Sequence, residues 1–154
     1  MFIQCSGEEW GEYGSATVAA LSHDCPNIIA VKEASGRFDQ ATAILKSKRA
    51  DFAALSGEDA LLLPLMSLGF EGVISVIANV LPNDYACLVK SAFQGDYPTA
   101  RRIHLDRAEL CKALFEEVSN ITKSEEVDFH IAIKQNPSMN IVSPRNNKNY
   151  EFFC

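Results

Sequence analysis

A chain of 154 residues, 47% hydrophobic and 22% charged, has an ordinary globular composition; this excludes wholesale disorder and suits one domain with a sizeable core. Its formal net charge is −6 and its densest basic pair is Arg101-Arg102, so nucleic-acid binding has no electrostatic support. The sequence has no signal peptide and no apolar run of the ~18 residues a membrane span needs, so a cytoplasmic protein without a membrane partner is expected.

A repeating unit runs from residue 27 to 95: a short apolar run, a turn, then a helical stretch. The apolar runs are Ile28-Ile29-Ala30-Val31, Phe52-Ala53-Ala54-Leu55 and Val73-Ile74-Ser75-Val76. Each is continuous rather than alternating, as in strands covered on both faces, and the helical crossovers make a parallel sheet the natural arrangement. Phe38, Ala41, Ile44 and Leu45 form a helical stripe after the first strand. Ala60 to Leu68 follows the second, with Pro64 expected to shorten or kink it and Gly69 placed to cap it. Asp84 to Gln94 follows the third, closed by Gly95. Asp96 then caps a longer helix with Pro98 in its first turn, and Ile103, Ala108, Cys111, Leu114, Phe115 and Val118 line its apolar face. Beyond residue 118, Asn136-Pro137, Ser143-Pro144 and Asn146-Asn147 are turn-forming, and only Phe129 to Ile133 has the pattern of a short strand.

The five cysteines, Cys5, Cys25, Cys87, Cys111 and Cys154, include no C-x-x-C pair and no zinc spacing, so no metal is expected. Cys87 and Cys111 sit among apolar residues and are expected in the core. Three βα units do not close a sheet, since a (β/α)8 barrel takes about 250 residues. The outer strands would then be apolar and unpaired, with Val31, Leu55 and the residues around Ile74 on an open face that favours association.

Chemistry is concentrated at the end of the first strand. Lys32 follows four apolar residues, which places it at the carboxyl end of a parallel strand, the catalytic face of barrels. Partial desolvation there favours the neutral amine, the form that attacks a ketone to give an imine. A lysine snorkelling to solvent from a strand end would look the same. Glu58 and Asp59 are read as opening a helix, where carboxylates complement the macrodipole, and Asn79 as a loop-ordering amide.

Ile28 to Gly36, read as Ile-Ile-Ala-Val-Lys-Glu-Ala-Ser-Gly, resembles the Schiff-base signature of the dihydrodipicolinate synthase family. Leu55-Ser56-Gly57-Glu58-Asp59-Ala60 and Gly72 to Val80 are similar to its next two strand-end motifs. Gly95-Asp96-Tyr97, Ala100-Arg101 and Ala113-Leu114-Phe115 resemble the first helix beyond its barrel. The motifs stand in order without gaps, and the resemblance covers residues 16–117.

The resemblance implies an α/β fold: a partial TIM (β/α)8 barrel, its last three βα units, followed by a helix and an irregular tail. It implies a lyase that condenses pyruvate with aspartate semialdehyde in lysine and diaminopimelate biosynthesis and needs no cofactor. Lys32 would form the imine, Ile74 would approach the bound pyruvate through its carbonyl, and Gly57 would line the same pocket. Another pyruvate-dependent aldolase of the family is an alternative. The expected partners are those two small molecules and either further copies of the chain or the missing barrel half.

Two segments depart from the family. Its Tyr-Asn-Val-Pro strand, whose tyrosine relays protons, aligns with Ile3-Gln4-Cys5-Ser6. Read one nucleotide later, codons allowed for Phe2 to Tyr13 can spell Leu-Tyr-Asn-Val-Pro-Gly-Arg-Ser-Gly-Val-Asn-Met, so residues 1–15 are read as a frameshifted segment. Residues 16–95 then form the partial barrel, 96–118 the helix and 119–154 a divergent tail. Without that tyrosine and half a barrel, the polypeptide is also readable as an inactive remnant. Reuse of a half-barrel as a scaffold has only the exposed edges in its favour.

Overall fold

The computed structural model describes residues 2–3, 13–114 and 141–142. Its elements are β1 (Phe2–Ile3), α1 (Ser15–Asp24), β2 (Ala30–Glu33), α2 (Phe38–Ser47), β3 (Ala53–Ser56), α3 (Leu62–Leu68), β4 (Val73–Ile74), α4 (Pro82–Phe93), α5 (Tyr97–Asp106), a further helical stretch over 108–114, and β5 (Ile141–Val142). Short 3-10 turns, Asp59–Leu61 and Ile77–Asn79, precede α3 and α4. The strands form one sheet in sequential order, with β1 to β4 parallel and β5 antiparallel to β4.

The three foreseen strands are present but displaced. β2 and β3 begin two residues and one residue later than their apolar runs and extend through Lys32-Glu33 and Ser56. β4 stops at Ile74 because the amides of Val76 and Ile77 turn to a carboxylate instead of a neighbouring strand. The edges of β2 and β4 are not open as expected: β1 pairs with the first and β5 with the second. Neither two-residue strand has a pattern that would announce it, and Phe129 to Ile133 lies outside the described residues.

Helix ends follow local chemistry. Gly69 and Gly95 take positive φ, 115° and 83°, and close α3 and α4 through amides bonded to carbonyls in their last turns. Asp96 caps α5, its Oδ1 accepting from the Thr99 amide at 3.2 Å. Pro64 is tolerated as the third residue of the seven-residue α3, where its missing N–H has no partner within the helix to lose. The long helix foreseen after Asp96 is interrupted at Arg107. Ile103 and Cys111 face the core, whereas Ala108 is exposed; Phe115 and Val118 lie outside the described residues. Phe38, at the start of α2 and of its apolar stripe, is exposed, as is Cys87 on α4, which was expected in the core.

The sheet has two distinct faces. Val31, Ala54 and Phe52 pack with Val18 of α1, Ala41 and Ile44 of α2 and Leu65 of α3, while Val73 joins the cluster built on α3, α4 and α5. Ala30, Leu55 and Ile74 form a separate small cluster on the opposite face. Val31, Leu55 and Ile74 are all buried, against the expectation of an open apolar face; Val31 in fact points toward the helices.

Candidate active site

Side chains alternate along a strand, and residues paired across parallel strands share a face. Lys32 therefore lies on the face of Ala30 and pairs with Leu55, while Glu33, Ser56 and Val73 form a row on the helix-covered face. Ile74, one residue past Val73, returns to the Lys32 face and packs with Leu55. Gly57, two residues past Leu55, follows on the same side, and its amide donates to the Glu33 carbonyl at 2.7 Å. All three residues singled out from the sequence, Lys32, Gly57 and Ile74, thus meet at the carboxyl end of one face of the sheet. The outer two lie on strands about 10 Å apart.

The neighbours of Gly57 leave no room for a side chain. A Cβ there would lie 2.6 Å from the Ala34 Cβ and 2.9 and 3.0 Å from the Lys32 Cε and Cγ. The missing side chain makes room for the half-buried Lys32 stem. Next to it, the register pairs Ile3 of β1 with Lys32.

Two buried carboxylates fix the loops around the lysine. Glu33 accepts from the Ser35 amide at 2.6 Å and from the Gln40 Nε2 at 3.3 Å, which holds the turn through Gly36, at φ 71°, into α2. Asp59 Oδ2 accepts from the amides of Val76 and Ile77 at 2.9 and 3.2 Å. Ser75 Oγ accepts from the Ala78 amide at 2.8 Å, and Asn79 Nδ2 donates to the Val76 carbonyl at 3.1 Å, in keeping with its reading as a loop-ordering amide. Among the described residues Asp59 Oδ1 is buried without a partner. Burial pushes this carboxyl above its usual 3.8; the amides of Ile77 and Val76 and the Lys32 charge act in the opposite direction. Burial likewise pushes the Tyr85 phenol well above its usual range, and the Asp59 charge adds to that.

Glu33, Asp59 and Ser75 were not foreseen in these roles. Asp59 does open a turn after β3, but its carboxylate serves a turn 17 residues further on. No local pattern reports such a bond. Among the described residues no three His, Cys, Asp or Glu side chains converge as a metal set, and no helix is long and apolar enough to cross a membrane.

Comparison with known proteins points one way. The model of the Dihydrodipicolinate synthetase family matches residues 12–131. The chain is 49% identical over 106 residues to a 4-hydroxy-tetrahydrodipicolinate synthase of Endomicrobium trichonymphae, covering 69% of this chain and 36% of that protein. It is 47% identical over 96 residues to the enzyme of that name in Methanosarcina barkeri, covering 62% and 33%. The crystal structure of dihydrodipicolinate synthase from Aquifex aeolicus superposes with a TM-score of 0.68 at 38% identity, over 73% of this chain and 39% of that one. The enzyme from Cyanidioschyzon merolae, solved with lysine bound, gives 0.71 at 37%, over 75% and 39%. The chain spans about a third of the length of the curated relatives it matches.

Proposed function

The chain belongs to the dihydrodipicolinate synthetase family, as its motifs suggested, and from that premise we propose that Lys32 is an imine-forming lysine for pyruvate. The neutral amine attacks the ketone carbon, the carbonyl oxygen leaves as water, and a C=N bond joins Lys32 to the substrate. Ile74 would meet the bound pyruvate through its backbone carbonyl, with Gly57 beside it. The whole reaction would be condensation with aspartate semialdehyde, a lyase step of lysine and diaminopimelate biosynthesis in the cytoplasm.

The observation that carries this reading is the shared face: Lys32, Gly57 and Ile74 converge there, and Gly57 lacks a Cβ where the lysine stem passes. Pyruvate with borohydride, followed by peptide mapping, tests it. Reduction should fix the adduct on Lys32; label on other lysines with none on Lys32 would refute the assignment.

A second reading, that this polypeptide is an inactive remnant, has its own observation. Ile3 is the β1 residue in register with Lys32, and it occupies the place where the family resemblance implies a proton-relaying tyrosine. The division at residues 15, 95 and 118, with residues 1–15 read as frameshifted, belongs to this proposal. Further copies of the chain, or a chain supplying the rest of a barrel, would be its partners. A relay of this kind contributes about 100-fold to 10,000-fold, so the purified 154-residue chain should turn over the two substrates at a small fraction of an ordinary rate. Turnover at ordinary enzyme rates would dismiss the remnant.

A further inference from the structure

The turn that follows β4 has an unusual support. Three consecutive amides in it, Val76, Ile77 and Ala78, are taken by side chains: Asp59 accepts the first two and Ser75 the third. Val76 itself, at the cap position of the 3-10 helix Ile77–Asn79, supplies no side-chain bond. Asp59 therefore acts as an N-cap in trans, reaching from the β3 loop to the β4 loop. It is 2% exposed, so little solvent competes for those amides. The bonds begin two residues after Ile74, and they end β4 where they do by turning the chain away from the sheet.

We infer that Asp59 is a positioning residue of the lysine site: by holding the amides of Val76 and Ile77 it sets the direction of the Ile74 carbonyl toward the end of Lys32. This rests on the imine reading above, in which that carbonyl meets the substrate. Asp59 does not touch the reacting atoms in this scheme. Its effect passes through two peptide units, and it links the lysine's neighbour β3 to the strand that bears Ile74. A misplacement of about 1 Å at a reacting centre is enough to cost orders of magnitude in rate, so a loop anchor has leverage on binding and chemistry.

The test is borohydride trapping on Lys32 across a range of pyruvate concentrations, with amide hydrogen exchange of residues 75–79 alongside. Asp59→Ala should raise half-saturating pyruvate about tenfold or more and speed exchange at Val76 and Ile77. Asp59→Asn keeps an oxygen that can accept both amides and should stay within about threefold of the wild type. Should the alanine variant fail to fold, Ser75→Ala, which frees the Ala78 amide of the same turn, should move half-saturation in the same direction by a smaller factor. A merely structural role would lower the folded fraction and the total label while leaving half-saturation unchanged, and that result in every folded variant would overturn the inference alone. A wild-type chain that takes no label on Lys32 would overturn the imine reading, and the inference with it.

Discussion

The two ends of the sheet are held by side chains of opposite character. At the carboxyl ends of the strands, Glu33, Asp59 and Ser75 accept from main-chain amides of the following turns. At the amino ends, cations donate to main-chain carbonyls: Lys48 to Phe52 at 2.5 Å, and Arg49 to Ser22 and to Ile28. His23 likewise meets the carbonyl of Ser47 at 3.1 Å. The cause is backbone direction. Helices begin above the strand ends with unpaired N–H groups and finish below with unpaired C=O groups, so each end recruits the complementary side chain. Lys32 stands out against this pattern. It is a cation at the end that needs acceptors, and among the described residues no hydrogen bond or ion pair reaches its ammonium.

That contrast is sharpest under substitution. Lys32→Ala should abolish label trapped from pyruvate at the mapped peptide while leaving the urea midpoint near that of the wild type, since among the described residues no hydrogen bond or salt bridge holds the ammonium. Unfolding of the variant would mean that Lys32 is a structural residue like Lys48.

Lys48→Met should do the reverse. The Lys48 Nζ also lies 3.7 Å from a Glu71 carboxylate in a pair almost removed from solvent, at 11% and 6% side-chain exposure. Removing one partner of such a pair leaves a buried charge and costs about 3 to 5 kcal/mol. The lower figure is expected because Glu71 has a further contact. Urea unfolding reads the loss, and label on Lys32 in the folded fraction should not change.

Gly57→Ala lies between these extremes. Its new methyl would meet the Ala34 Cβ and two carbons of Lys32, so the backbone or the lysine must move. Overpacking of this kind costs about 1 to 3 kcal/mol, and here it should also slow trapping on Lys32. Stability lost with no change in trapping would mean that Ala34 yields and the lysine does not.

What could be read in advance follows the same divide between local and distant causes. The strand-end place of Lys32, the capping of α3 by Gly69 and of α5 by Asp96 depend on neighbours a few residues away, and all three were legible. The trans cap made by Asp59 was not, because its partners reach it only after β3 and β4 pair. Burial of Cys87 was expected from apolar neighbours, but helical rotation turns it outward while Leu88 and Val89 face in. The strands β1 and β5 are two residues each and carry too little sequence for a period to appear.

The smallest effect concerns Asp59 as an acceptor with one oxygen idle. Burial raises its carboxyl in the folded chain above 3.8, the value near which it titrates when unfolded. Below that value both states hold the proton, and the contribution of this difference to stability is fully present. As pH rises through the window between the two values, the unfolded chain releases its proton first. The folded state is then left bearing the cost of ionising a desolvated group, so this contribution fades and is gone above the folded value. Asp59→Asn cannot titrate. Its stability relative to the wild type should therefore climb from about pH 4 upward and then level off, whatever the absolute difference, because every other group cancels between the two proteins. Paired urea midpoints from about pH 3 to pH 8 measure it. A relative stability that falls instead would mean that the ionised form is the favoured one and that Oδ1 has found a donor. A charge that favours the ionised form is that of Lys32, whose ammonium would then serve the fold like the cations at the other end of the sheet.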